Sequence, residues 1–459
     1  MDSCTPHILH QNAEHNIVLL DIPSSIAAAQ GRAGTLLSTE PLQAPIPFPQ
    51  QHRSRAPNAQ DAATAALHAE YKALIQHALA HLGAHVSGPW CAPRKLMMQV
   101  PRCEKDQARD ADDPERALEC RLREWAAWGE SRRRTLALDL NQMMASLGAS
   151  AGYMQTAADP VAHPWQRVYH VVPDATHSTH VKPSDSQDKV TESWSPTLHN
   201  PAGLPLKLVV FSDQTQSDPR YCFTIPPHST FFLSDSTHSD AFRSTFRQLT
   251  DEYGLRRHFD LVLLDPPWPN RSAKRKGAYE QVGGMPFLKR MLLRMDVDSY
   301  LAHKAWVGVW ITNKDALRSH VLGPGGLFET WNVGLMEEWV WIKTTTNGEA
   351  MFDMDSVVRK PYEILLLGRA APNAWTAVAH APVVKRRVIA AVPDMHSRKP
   401  CLKGLFESFG LVPQGYSALE VFSRYLVAGW MSWGNEVLKF NWDAYWTTKD
   451  GVEARESTT

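Results

Sequence analysis

The sequence predicts an α/β fold of the doubly wound kind, preceded by a largely helical, partly disordered N-terminal region. Three observations lead there. From residue 206 onward, short apolar runs of strand length alternate with stretches patterned like helices. One run, Phe259–Leu264, stops abruptly at Asp265-Pro266-Pro267-Trp268, where proline takes the backbone out of a sheet. Before residue 206 the texture differs, with two helix-periodic segments set among Ala-, Gln-, Ser- and Pro-rich sequence.

Taken in order, residues 1–60 read as weakly structured. Ile17–Leu20 is one short strand, and Pro45-Ile-Pro-Phe-Pro49 is loop or linker. Residues 61–150 read as a helical region. Leu67, Tyr71, Leu74, Ile75, Ala78 and Leu79 fall on one face of a first helix, and Leu118, Leu122, Trp125 and Trp128 on one face of a second. Arg132-Arg-Arg134 reads as part of a solvated face, because mixed charge surrounds it. Residues 151–205 are rich in Ser, Thr, Pro, His and Asp, and read as a flexible connector or insertion. His163, His170, His177 and His180 lack the tight spacing and helical period of a metal site, so no metal is expected.

The α/β domain is expected over 206–450, followed by a tail over 451–459. Its strands are Leu206–Phe211, the run that ends at Asp235, Phe259–Asp265, Trp306–Thr312, Trp339–Lys343, Glu363–Gly368, Val388–Val392 and Leu419–Phe422. Helices are expected near 239–251, 284–301 and 400–409.

Composition narrows the class. At 459 residues, 43% hydrophobic, the chain has room for two or three domains and a sizeable core. A formal net charge of zero gives no global field toward nucleic acid, so such binding must use local patches. The six cysteines form no CxxC pair, which argues against a zinc knuckle and a disulfide framework and for a reducing compartment. No apolar run reaches transmembrane length, and the N-terminus lacks a signal-peptide profile.

The bend at Asp265 carries the chemistry. In open α/β sheets, ligands sit at the carboxyl ends of the strands. Asp265 offers a carboxylate, Pro266 a carbonyl, Pro267 a stiff turn and Trp268 a flat apolar plate. Two acceptors and a plate suit a planar group bearing an NH2, such as adenine. That amine is a poor nucleophile because its lone pair is delocalised into the ring. Acceptors on both N–H bonds localise the lone pair, with no need to remove a proton first. The bland alternative for Asp265 is a helix N-cap after a strand.

Asp265-Pro-Pro-Trp268 resembles the signature of the DPPW adenine-N6 methyltransferases, the MT-A70 family. Trp310-Ile-Thr-Asn313, Lys360-Pro-Tyr-Glu363 and Gly429-Trp-Met-Ser-Trp-Gly-Asn-Glu-Val437 resemble the branch typified by methyltransferase-like protein four. The resemblance covers the second half of the chain. It implies a Rossmann-like S-adenosylmethionine-dependent methyltransferase domain without a G-x-G-x-x-G loop, and none follows any strand here. It assigns donor contacts to Asp235, Lys399, Glu420, Arg424, Asn435 and Glu436. Tyr425-Leu426-Val427 stands where more distant relatives have His-Asn, which puts side-chain donor contacts there in doubt.

For the acceptor, Asn270 and the run Arg271-Ser-Ala-Lys274-Arg275-Lys276 bring four cations into six residues beside the bend, with Tyr279 to stack a base. Lys360, Tyr362 and Glu363 line the expected acceptor pocket. A duplex adenine must be flipped out or already unpaired to reach such a site. The resemblance implies RNA, including 2′-O-methyladenosine of a spliceosomal small nuclear RNA, with DNA adenine open. It also implies a nuclear location, with the cytoplasm open, and a monomer, with a family-type heteromer open. The rival reading is a catalytically silent nucleic-acid-binding scaffold, and a third is a methyltransferase for protein or a small molecule.

Overall fold

The computed structural model describes residues 7–47, 59–97, 115–127, 165–171, 191–212, 220–237, 239–269, 284–356, 359–371, 383–395 and 398–447. In chain order its strands are β1 (Ile8–Gln11), β2 (Ile17–Leu20), β3 (Thr35–Leu36), β4 (Trp165–Val171), β5 (Glu192–Ser193), β6 (Thr197–His199), β7 (Leu206–Ser212), β8 (Tyr221–Ile225) and β9 (Thr230–Leu233). They continue with β10 (Phe259–Leu264), β11 (Leu301–Ile311), β12 (Val333–Lys343), β13 (Tyr362–Ala370), β14 (Lys385–Ala391), β15 (Ala418–Val421), β16 (Trp430–Gly434) and β17 (Trp446–Thr447). Its helices are α1 (Ile22–Gln30), α2 (Ala59–His85), α3 (115–127), α4 (Ser239–Tyr253), α5 (Gly284–Arg294), α6 (Asp315–Leu322), α7 (Leu327–Thr330) and α8 (Lys403–Ser408).

The chain divides into two compact units. The first comprises Met1–Gln99, Arg256–Val421 and Trp446–Thr459, and the second Val100–Leu255 and Phe422–Tyr445. In the first, strands run in the order β1-β2-β14-β12-β13-β11-β10-β15. β10 is parallel to β11 and β15, and β14 is parallel to β12 and β2. β13 is antiparallel to both β11 and β12. An antiparallel strand starts where its parallel neighbours end. The start of β13 therefore shares one edge of the sheet with the carboxyl ends of β10, β11, β12 and β14.

Residues 7–47, expected to be weakly structured apart from the Ile17–Leu20 strand, hold three strands and a helix. Ile17–Leu20 is buried along its whole length and pairs with Val388–Ala390 of β14. That pairing joins positions far apart in sequence, which no local pattern reveals. α1 has ordinary end signals: Asp21 accepts the Ser24 N–H at 3.0 Å, Pro23 sits in the first turn, and Gly31 closes the helix at φ 62°. Of the stripe its sequence predicts, α2 buries Tyr71, Ile75 and Ala78, leaves Leu67, Leu74 and Leu79 half-buried, and extends the buried face to Leu82. Gly348, at φ 86°, leaves no room for a Cβ, which would lie 2.5 Å from the Trp90 ring.

The second unit contains the antiparallel sheet β5-β4-β7-β8 and the strands β16-β9-β6. Around Trp125 of α3 gather Trp165, Trp194 and Tyr221, with ring centroids 5.0–5.4 Å away. Residues 165–171 and 191–199, expected in a flexible connector, are thus partly strand. β4 pairs with β7 over its full length, again a long-range match. Of the residues 206–450, 206–255 and 422–445 fall in the second unit, and the residues before 100 fall in the first. Trp128, Arg132–Arg134, His163, His177 and His180 lie outside the described residues.

Glu338 illustrates how the first unit is tied. Its side chain is 1% exposed, bonds Tyr71 Oη of α2 at 2.9 Å and Arg386 at 2.9 Å, and pairs with Arg318. Burial raises its pKa, but the Arg318 and Arg386 partners outweigh that and hold it below the ordinary glutamate value of 4.5. A depressed carboxylate pKa contributes stability that is present above the ordinary value and lost as pH falls through the folded one. Replacing Glu338→Gln should therefore flatten the acid limb of a stability-versus-pH curve. Glu338→Ala should cost about 1–3 kcal/mol by urea denaturation at neutral pH, because Tyr71 and Arg318 lose their acceptor while Arg386 keeps its pair with Glu70.

Candidate active site

The shared edge of the first unit collects charge and aromatic rings. Asp265 follows β10, Trp310 and Asn313 lie at the end of β11, Trp341 and Lys343 end β12, Tyr362 and Glu363 begin β13, and Lys399 follows β14. The Asp265 N–H donates to Val421 O of β15 at 3.4 Å, which holds the bend to the sheet. The bend is not buried in the core: the Asp265 side chain is 24% exposed.

The proline turn is internally bonded. The Trp268 N–H donates to the Pro266 carbonyl at 2.7 Å, closing a three-residue turn centred on Pro267. Pro266, expected to offer a free acceptor, is therefore corrected to a carbonyl with one lone pair engaged and one remaining. Trp268 Nε1–H donates to Trp310 O at 2.6 Å, so the indole is tied to the end of β11. Lys314 Nζ donates to Pro269 O at 3.2 Å on the outgoing chain.

Four side chains alternate in charge. Lys343 Nζ is 2.5 Å from Glu363 Oε1, Lys399 bonds Glu363 Oε2, and Lys399 Nζ lies 3.5 Å from Asp265 Oδ1. Burial alone would raise the Glu363 pKa, but the Lys343 and Lys399 ammoniums outweigh it and hold the carboxyl well below the usual carboxylate range. Burial, with Lys399 nearby, lowers the Lys343 pKa against the pull of Glu363. Lys399 Nζ stands 4.6 Å from the Trp310 ring centroid and 5.6 Å from that of Trp341.

N-terminal residues of the same unit hold the segments that carry these groups. His68 of α2 shares a 2.7 Å hydrogen bond with Tyr362 Oη, and its Nε2 accepts from Lys360 Nζ at 3.0 Å. Burial pushes the Tyr362 hydroxyl pKa up. The 344–351 turn is bonded to Leu42, Ile46 and Trp90. Ahead of Lys399, Asp394 receives the Thr39 N–H at 2.9 Å and pairs with the fully buried Arg398. The Cys401 N–H donates to Ser25 Oγ at 3.0 Å.

The structure thus brings together Asp265, Pro266, Pro267, Trp268, Lys360, Tyr362, Glu363 and Lys399 within one unit, while Glu420 sits in β15 in register with Leu263. Four other expected donor residues lie in the second unit. There Arg424 bonds Glu436 at 3.0 Å, Asp235 is exposed and caps the Thr237 N–H, and Asn435 is half-buried. Leu426 and Val427 are fully buried. Asn270, Arg271, Lys274, Arg275, Lys276 and Tyr279 lie outside the described residues. Sequence reasoning missed Lys343 and Trp341 as parts of the site; the available signal was a lysine terminating the apolar run from Trp339.

Among the described residues, no group of three or more His, Cys, Asp or Glu side chains is arranged to hold a metal ion, and no helix is long and apolar enough to cross a membrane. Among the described residues, Cys91, Cys120, Cys222 and Cys401 form no disulfide.

Residues 259–436 match the MT-A70 family model. The chain is 44% identical over 189 residues to the N6-methyladenosine RNA methyltransferase MTA1 of Cryphonectria parasitica, covering 41% of this chain and 54% of that protein. It is 34% identical over 224 residues to the N(6)-adenine-specific methyltransferase METTL4 of Mus musculus, covering 48% and 44%. It is 30% identical over 216 residues to a DNA N6-methyl methyltransferase of Caenorhabditis elegans, covering 47% and 53%. The chain spans about half the length of these curated relatives.

The tie between Trp268 and Trp310 is open to a direct check. Trp268→Phe keeps a plate but deletes the donor, so stability by urea denaturation should fall by about 1 kcal/mol, the net worth of one such bond.

Proposed function

We propose, given that residues 259–436 are an MT-A70 domain, that this chain is an S-adenosylmethionine-dependent adenine-N6 methyltransferase acting on nucleic acid. The observation that carries the proposal is Asp265. It is a partly exposed carboxylate at the carboxyl end of a buried strand, held by a proline-closed turn, with an ammonium 3.5 Å away.

The residues present suit this donor. Its amino-acid end carries a carboxylate and an ammonium, and the edge offers the Lys399 ammonium and the carboxylates of Asp265 and Glu363, flanked by Trp310 and Trp341. Asp235, Glu420, Arg424, Asn435 and Glu436 are of the right type for ribose hydroxyls and adenine, as the resemblance assigns them. When bound, the donor supplies a methyl group on an electrophilic sulfonium.

The chain supplies orientation. Asp265 and the remaining lone pair of the Pro266 carbonyl accept the two N–H bonds of the adenine amine and aim its lone pair. Trp268, anchored through Nε1–H, gives the purine a surface of fixed direction. After methylation the amine nitrogen is cationic and acidic, and Asp265 is placed to take its proton. Positioning of this kind supplies about 7–11 kcal/mol of a barrier in well-oriented systems.

The acceptor we propose is RNA, with an unpaired or flipped adenosine and, as the resemblance implies, 2′-O-methyladenosine of a small nuclear RNA. The names of the Cryphonectria and mouse relatives support the base and position, and the former the RNA acceptor. A nuclear location accords with such an acceptor.

The test incubates the purified chain with labelled donor and either total RNA or DNA, then digests to nucleosides. Label should appear in N6-methylated adenosine from RNA. Label in deoxyadenosine alone would replace RNA with DNA, and none in either would remove the activity. Asp265→Ala should lower the rate by about 10²–10³-fold or more, as for removal of one preorganised group at a reacting centre, while calorimetry still detects donor binding.

A further inference from the structure

Lys343 belongs to none of the motifs that mark the site. It is the last residue of an eleven-residue strand whose preceding five positions are all buried, and its side chain is itself only 13% exposed. An ammonium in such a place needs a partner, and Glu363 Oε1 at 2.5 Å provides it. The Trp341 ring lies 4.6 Å from Lys343 Nζ and 5.6 Å from Lys399 Nζ, so one indole borders both cations.

The geometry around Glu363 is the telling feature. A lysine ammonium is a compact point charge, drawn to whichever carboxylate has least other cation beside it. Here each oxygen serves a different lysine: Oε1 receives Lys343 and Oε2 receives Lys399. Lys399 is thereby limited to one Glu363 oxygen, and its ammonium still reaches to 3.5 Å from Asp265. The charged groups that face this point are Asp265 after β10, Lys343 on β12, Glu363 on β13, Lys399 after β14 and Arg359 ahead of β13.

We propose that Lys343 is a positioning residue of the methyl-transfer site: by occupying one oxygen of Glu363 it keeps Lys399 shared between Glu363 and Asp265. This rests on the function proposed above. Without Lys343, the whole charge of Glu363 draws Lys399. The ammonium withdraws from Asp265, whose carboxylate then loses the Lys399 contact that helps fix its direction. The acceptors are aimed less well at the amine, so turnover should fall.

The experiment compares the full chain with Lys343→Met and Lys343→Arg variants. It reads donor affinity by calorimetry, kcat and KM for methyl transfer to an adenine oligonucleotide, and the crystal structure of the Met variant. Lys343→Met should lower kcat at least tenfold while KM for the oligonucleotide changes little. In its structure, Lys399 should lie beyond 4 Å from Asp265. Lys343→Arg should restore kcat, which a merely space-filling role would not require. In a Glu363→Gln background, Lys343→Met should have no further effect on kcat, because the oxygen it occupies no longer carries charge.

An unchanged kcat with Lys399 still beside Asp265 overturns the proposal. Should Lys343→Met fail to fold, Lys343→Gln, which keeps a donor and drops only the charge, answers the same two questions. If the wild-type chain transfers no methyl group, the proposed function falls, and the Lys399 position in the variant crystal still decides whether Lys343 sets it.

Discussion

Two ammoniums and two carboxylates meet at one edge of a sheet, and much of the first unit is arranged so that they can. Isolated charges at this depth are costly; alternating ones, each within reach of the next, are sustainable. Lys343, Glu363, Lys399 and Asp265 come from four different strand ends. Their proximity follows from strand order. β13 runs antiparallel between β11 and β12, so its first residues fall beside the last residues of its neighbours. Trp341 pairs in register with Glu363, which sets an aromatic ring beneath the charges.

The segments bearing these groups leave the sheet as turns and loops, and turns need ties. The first unit supplies them from N-terminal residues. α2 grips Tyr362 and Lys360 through His68, the 42–46 stretch and Trp90 bond the 344–351 turn, and Thr39 and Ser25 hold the chain on either side of Lys399. Residues 7–47 and 59–97 are thus structural members of the site-bearing unit.

The bend itself is stiffened twice. Proline restricts the backbone at two successive positions, and the Trp268 N–H closes the turn on Pro266. The indole is then pinned to β11. A group that must aim a lone pair benefits from such rigidity, because small errors in angle are expensive in a transition state.

Local sequence determined the elements with strong, short-range signals: the Phe259–Leu264 strand and its proline stop, much of the α2 stripe, and the strands at Leu206, Glu363, Val388 and Leu419 to within three residues, whereas β11 and β12 begin five and six residues before their expected starts. It also singled out Asp265, Trp268, Tyr362, Glu363 and Lys399, because a short motif carries its own chemistry. It left unseen the strand role of β1, the pairing of β2 with β14 and of β4 with β7, the N-terminal ties, the bonded state of the Pro266 carbonyl, and Lys343. Periodicity and turn residues report on neighbours along the chain. Which distant strand lies beside which, and so which lysine reaches which carboxylate, is decided only when burial and backbone hydrogen bonding are satisfied for the whole sheet at once.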